Sequence, residues 1–179
     1  MPNILPLDLN AADPQTAKTL NAVKAKIGMI PNLFTTFARA PAALNAYLQF
    51  SETLTTGRLS ARQREIISLV VGQANSCQYC LSAHTLLGKG AGLSEDDVRK
   101  ARGGTASNAA ENAVAVFARK LVLARGQLPV SDLEEARKAG LDDGLIIEVI
   151  SNVALNILTN YTNNIAGTSV DFPVVNVAL

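Results

Sequence analysis

Residues 65–84 read Glu-Ile-Ile-Ser-Leu-Val-Val-Gly-Gln-Ala-Asn-Ser-Cys-Gln-Tyr-Cys-Leu-Ser-Ala-His. This stretch holds both cysteines of the 179-residue chain, Cys77 and Cys80, and its single histidine, His84. An acid, Glu65, opens the apolar run upstream. Residues 61–75 read as a helix, Asn75-Ser76 as a tight break, and Ser76 as the cap of a second helix starting at Cys77. In that helix Cys77, Cys80 and His84 are spaced i, i+3, i+7 and share one face. If the two helices fold back as an antiparallel hairpin, at about 1.5 Å per residue Glu65 lies roughly 15 Å before the turn and His84 roughly 12 Å after it. The acid and the imidazole therefore come out nearly level. Gly72, on the same face as Glu65, suits close approach of the two helices. A mid-helix glycine costs about 1 kcal/mol relative to alanine, so close packing would be a reason to keep it.

The order Glu65, His84, Cys80 describes an activated thiol. A thiolate is the nucleophile, and a first-turn helix position with a neighbouring base lowers a cysteine's pKa. His84 takes the proton, and Glu65 fixes its tautomer and stabilises the imidazolium. Once a peroxide has oxidised Cys80 to a sulfenic acid, Cys77 is placed to attack it and close a disulfide. Four other readings stand beside this one. The cysteine pair could be core filling. The two cysteines, His84 and Glu65 could hold a metal, although no further Cys or His exists to complete a structural zinc site. A stabilising disulfide gains little across so short a loop. Glu65 could be a satisfied polar group in a helix seam.

The pattern Glu65-x(11)-Cys77-x-x-Cys80-x-x-x-His84 resembles the active-site motif of AhpD-like alkylhydroperoxidases, within the carboxymuconolactone decarboxylase superfamily. The segments Gly28-Met-Ile-Pro31-Asn32-Leu-Phe34, Asn75-Ser-Cys-Gln-Tyr79-Cys, and Asn160-Tyr161…Asn164…Asp171-Phe172-Pro173 are similar to its peroxidase-related members. The resemblance implies an all-α fold of about seven to nine helices around a central antiparallel pair, in a homo-oligomer, a trimer or a hexamer. It implies a hydroperoxide-reducing or disulfide-reducing activity, a thiol or dithiol electron donor, no cofactor and no metal. Cys80, Cys77, His84 and Glu65 are its catalytic set. The chain departs at one point: Gln78-Tyr79 stands where the best-known members carry a second histidine, so a relay needing two imidazoles is absent. Alternatives in function are a disulfide-reducing adaptor for a peroxiredoxin, a lactone decarboxylase, and a non-catalytic helical oligomer that binds an apolar ligand.

The formal net charge is +1, aromatic residues make up 4% and tryptophan is absent, so neither a basic stripe nor a stacking platform for nucleic acid is expected. The first residues lack a basic region followed by an apolar segment, no window is read as a membrane span, and a cycling Cys-x-x-Cys pair suits a reducing cytoplasm. With 48% apolar residues, some apolar surface is expected in subunit contacts.

The chain reads as one domain, 1–179. Residues 1–13 are extended and drape over a neighbouring surface. Helices are expected from Asp13-Pro14 to Ile27, Pro31 to Ala38, Pro41 to Thr56, through the two central helices, and after Ser94-Glu-Asp-Asp97. Further helices are expected at about 108–125, from Ser131 to Gly140, and at about 142–166. No stretch alternates with period two, so no sheet is expected. Offset by eighty residues, Ile66-Ile67…Ala74 aligns with Ile146-Ile147…Ala154, suggesting duplicated hairpins near 60–90 and 142–168. Asn152, Asn156, Asn160 and Asn164 recur on one face of the last helix, as a polar wall beside the redox helix or a hydrogen-bonded seam.

Overall fold

The computed structural model describes residues 2–179, and those residues form helices without a strand. The elements are α1 (Pro14–Ile27), α2 (Asn32–Phe37), α3 (Pro41–Leu54), α4 (Ala61–Ala74), α5 (Gln78–Gly90), α6 (Glu95–Arg102), α7 (Ala109–Leu123), α8 (Val130–Lys138) and α9 (Asp143–Ala166). Local chemistry sets most of the boundaries. Asp13 accepts hydrogen bonds from the Gln15 and Thr16 amides, with Pro14 in the first turn of α1, and Gly28 ends that helix at φ +85°. Ser60 with Gln63, and Ser94 with Asp97, close capping boxes on α4 and α6. α3 stops at Leu54, earlier than the sequence suggests, and the Thr55 and Thr56 hydroxyls donate back to the Glu52 and Thr53 carbonyls. α8 starts at Val130 rather than Ser131, because Pro129, extended at ψ 157°, is the residue that turns into it.

α4 is the axis of the molecule. Ile66, Ile67, Leu69, Val70 and Val71 are all buried, so the helix is apolar around most of its circumference. It packs against α5, α6, α7 and α9, and this shell forms the larger apolar core. A smaller core lies at the other side of α5, where Cys77, Tyr79 and Cys80 pack with Leu20, Leu33, Phe37 and Leu44.

The N-terminal segment does drape over a neighbouring surface, and two other expectations are corrected here. The N-terminal segment lies on its own chain: the Asn3 and Ile4 amides donate to the Ala166 carbonyl (2.7 and 3.1 Å), and the Leu7 amide donates to Thr35 (2.8 Å). Residues 143–166 form one unbroken helix, so no second hairpin answers α4–α5. Where the first hairpin breaks at Asn75-Ser76, the aligned Leu155-Asn156 continues helically, and Asn156 Nδ2 donates to the Asn152 carbonyl one turn back. Finally, α9 is long and apolar enough to cross a membrane by length and composition, with a mean hydropathy of 1.2 over its best window. In this fold it is a core helix that packs against α4 and α7 and buries Asn152, Asn156, Asn160 and Asn163.

Candidate active site

The turn between α4 and α5 builds the site. Asn75 ends α4, and Ser76 adopts a left-handed conformation at φ +51°. The Ser76 amide donates to the Gln73 carbonyl (3.1 Å) and the Cys77 amide to the Gly72 carbonyl (2.9 Å). These two bonds are the paired closure of a Schellman motif. Ser76 therefore finishes α4 and does not cap α5. The cap is Cys77 itself, whose Sγ accepts the Cys80 amide at 3.3 Å. The positive end of α5 is thus directed chiefly at the sulfur of Cys77. Two asparagines of α9 hold the turn: Asn75 Nδ2 donates to Asn160 Oδ1 (3.0 Å), and Asn164 Nδ2 donates to the Asn75 carbonyl (2.9 Å).

Cys77 and Cys80 are joined in a disulfide, with their Cα atoms 5.3 Å apart. Both are buried, at 0% and 3% exposure. Across the hairpin, Glu65 Oε2 lies 2.8 Å from His84 Nδ1, both side chains about four-fifths buried. The contact commits Nδ1 to the carboxylate and leaves Nε2 as the nitrogen that faces away from it. His84 follows Cys80 by one helical turn, which places their Cβ atoms about 5–6 Å apart. The structure thus brings all four residues of the sequence motif to one hairpin. Among the described residues no group of three His, Cys, Asp or Glu side chains is gathered as a metal site would require.

Close packing between the helices differs from expectation. A Cβ added at Gly72 would meet Leu81 Cδ2 at 3.5 Å and Cys80 Cβ at 3.7 Å, which is ordinary contact. Gly88 is the tighter position, with Leu93 Cδ1 at 2.9 Å and Glu65 Cβ at 3.8 Å from the corresponding point. Gly72→Ala is therefore expected to be neutral or to raise stability by up to about 1 kcal/mol through helix propensity. A urea unfolding midpoint below that of the wild type would show that the α4–α5 contact needs the glycine.

The residues around the motif define a cavity of about 360 Å³, which His84 lines together with Phe34, Tyr47, Leu48, Tyr79 and Phe172. Lys26 and Glu52 lie at the same cavity and are ion-paired. Tyr47 stacks on Phe37, and burial pushes its phenol up to about 12, opposed by a hydrogen bond from Ser51 and reinforced by the charge of Glu65. The Tyr79 ring lines the cavity, but its hydroxyl is engaged elsewhere. Its hydroxyl accepts the Leu33 amide (3.2 Å), its ring meets Phe172 edge-on, and burial pushes its phenol far up, so it stays neutral. A phenol held in this way anchors α5 to α2.

The C-terminal segment closes the other side. Asp171 Oδ2 accepts the Asn32 amide (2.7 Å), the Val175 amide donates to Ser82 Oγ (3.0 Å), and Gln73 Nε2 and Arg102 Nη2 donate to the Val177 carbonyl. The spacing within residues 65–84 did not reveal two contributors, Tyr47 on α3 and Asn163 on α9. Asn163 Nδ2 donates to Cys80 Sγ at 3.3 Å. The recurring asparagines of α9 pointed to the right helix, but Asn163 lies one residue off that series.

The all-α fold is AhpD-like, and comparison with known proteins agrees on that fold. Residues 41–123 match the carboxymuconolactone decarboxylase family. The structure is similar to an alkylhydroperoxidase AhpD core, a peroxidase-related protein from Ralstonia eutropha JMP134, with a TM-score of 0.83, 24% identity, and 93% of this chain and 90% of that one covered. A peroxidase-related protein from Silicibacter sp. TM1040 gives 0.80 at 26% identity, with 93% and 92% covered. The debrominase Bmp8, a variant of which was solved with 2,3,4-tribromopyrrole, gives 0.78 at 18% identity, with 94% and 91% covered. No curated protein sequence matches the chain. Over residues 41–123 and in its fold, the chain is similar to the AhpD-like and carboxymuconolactone decarboxylase proteins.

Proposed function

We propose that this protein is a thiol-dependent hydroperoxide reductase in which Cys80 is oxidised, Cys77 resolves, His84 carries the proton and Glu65 orients His84. The observation that supports it best is the 2.8 Å Glu65–His84 contact, one helical turn beyond a disulfide-linked Cys-x-x-Cys pair. In the reduced protein His84 takes the Cys80 proton. The Cys80 thiolate attacks the distal oxygen of the hydroperoxide; the O–O bond breaks, an S–O bond forms, and the departing alkoxide receives the proton from His84 as an alcohol. The Cys77 sulfur then attacks Cys80, its proton leaves with the hydroxyl as water, and the disulfide closes. One hydroperoxide and two thiols give one alcohol, one water and one disulfide, which a dithiol donor reduces again.

The apolar, aromatic-walled cavity beside His84 favours an organic hydroperoxide. The test is stoichiometric. Reduced protein with one equivalent of cumene hydroperoxide and no partner present is expected to lose both free thiols and yield one equivalent of cumyl alcohol. Recovery of both thiols would rule the reading out.

The same cavity supports a second reading, in which the Cys80 thiolate takes bromine from an aryl bromide. The carbon receives a proton, Cys77 displaces bromide from sulfur, and the disulfide forms. Bromide release from 2,3,4-tribromopyrrole, with no reaction toward the hydroperoxide, would select it.

We also propose self-association. The outer face of α9 exposes Ile147, Ile150, Leu158, Tyr161 and Ile165 in one stripe. Light scattering is expected to give a mass above that of one chain, and a stable monomer at micromolar concentration would exclude it.

A further inference from the structure

The side chain of Asn163 is 3% exposed in the interior between α9 and α5. Two buried asparagines earlier on α9 turn inward on their own helix: Asn152 Nδ2 donates to the Glu148 carbonyl and Asn156 Nδ2 to the Asn152 carbonyl. Asn163 does not. Its Nδ2 crosses to Cys80 Sγ, and its Oδ1 meets no donor among the described residues. A buried amide with one end on a sulfur and the other end unpartnered is unfavourable in a purely structural role, since an unmade buried hydrogen bond carries a desolvation penalty. A disulfide sulfur is a weak acceptor, whereas a thiolate is a charged one and strengthens such a bond roughly twofold. The arrangement therefore suits the other states of Cys80 better than the disulfide.

We propose that Asn163 is a further catalytic residue. Its Nδ2–H stabilises the Cys80 thiolate, and its Oδ1 accepts the O–H of the Cys80 sulfenic acid. This rests on the reading that Cys80 is the oxidised sulfur. It also resolves an asymmetry in the site. The helix N-terminus serves Cys77, through the Cys80 amide, so Cys80 needs its own source of positive potential. His84 moves the proton, and Asn163 holds the charge left behind. The ionisable groups about this sulfur are Cys77 at the cap of α5, His84 on α5, Glu65 on α4, and the neutral phenols Tyr47 and Tyr79, with the Asp171 carboxylate beside Tyr79.

The experiment is iodoacetamide alkylation of the fully reduced protein against pH, resolved by cysteine with mass spectrometry. It reads the thiolate without any peroxide, so its outcome is separable from that of the proposed activity. Asn163→Ala is expected to slow Cys80 alkylation at neutral pH by about tenfold to hundredfold, with its profile displaced to higher pH, while Cys77 changes little. Asn163→Asp has nearly the native shape but replaces the donor with a carboxylate, and is expected to react more slowly than the alanine variant. Asn163→Gln, which keeps the amide, is expected to recover part of the rate. A packing role predicts the reverse, with aspartate closest to wild type. That order, or an alanine profile that overlays wild type, overturns the thiolate role. For the acceptor role, the sulfenic acid trapped by dimedone in Cys77→Ser protein is expected to decay severalfold faster once Asn163→Ala is added. Equal lifetimes overturn that half.

Discussion

Replacing His84 with alanine is expected to slow oxidation of Cys80 by an organic hydroperoxide by about 10²–10⁴-fold, the usual loss when a general base is removed. The imidazole has two tasks in the proposed cycle: it accepts the thiol proton and returns it to the leaving alkoxide. Its Nδ1 is held by Glu65 at 2.8 Å, so only Nε2 is available for both transfers. Glu65→Gln is expected to cost less, because the imidazole stays in place and only its charged partner is lost. Cys77 lies two helical turns from His84 and has its own donor in the Cys80 amide, so its alkylation rate is expected to change little in either variant. Rates measured per cysteine against pH decide the matter. A His84→Ala profile for Cys80 that matches wild type would mean that the proton travels by another route.

Cys77→Ser is expected to abolish turnover while sparing the first oxidation. Without the resolving sulfur no disulfide forms, and Cys80 accumulates as a one-oxygen adduct that excess peroxide carries on to the irreversible sulfinic acid. Intact-mass spectrometry after one equivalent of hydroperoxide should show a single added oxygen on Cys80, and steady-state peroxide consumption with a dithiol donor should fall to background. Continued turnover in this variant would transfer the resolving role to a second molecule and leave the Cys77–Cys80 disulfide as a side product.

The hairpin was legible because its information is local. The apolar run of α4, the polar break at Asn75-Ser76 and the i, i+3, i+7 spacing all lie within twenty residues, and helix geometry alone brings Glu65 level with His84. Ser76 was misread because a serine before a helix ordinarily caps it, and here the residue after it performs that function through sulfur. The aligned isoleucines of α9 suggested a repeat because burial patterns recur in unrelated core helices: Ile66 and Ile146 are both buried, but Ile67 is enclosed and Ile147 is 61% exposed. Asn163 could not be read from spacing. It lies 83 residues beyond Cys80 and meets it only because α9 docks across the hairpin. The asparagine series mixes two roles that the sequence does not separate, with Asn152 and Asn156 bonded within α9 and Asn160 and Asn164 gripping the turn.

The C-terminal strap has a consequence for selectivity. Thiol–disulfide exchange needs an incoming sulfur in line with the S–S bond, and its rate depends on access as well as on reduction potential. Neither sulfur here is open to solvent, and the C-terminal segment is tied down beside them, at Asn32 on α2, Gln73 on α4, Ser82 on α5 and Arg102 on α6. A folded protein thiol therefore meets a buried bond. In the proposed cycle this insulates the oxidised molecule from abundant bystander thiols, and the choice of electron donor becomes a matter of shape before it is one of driving force.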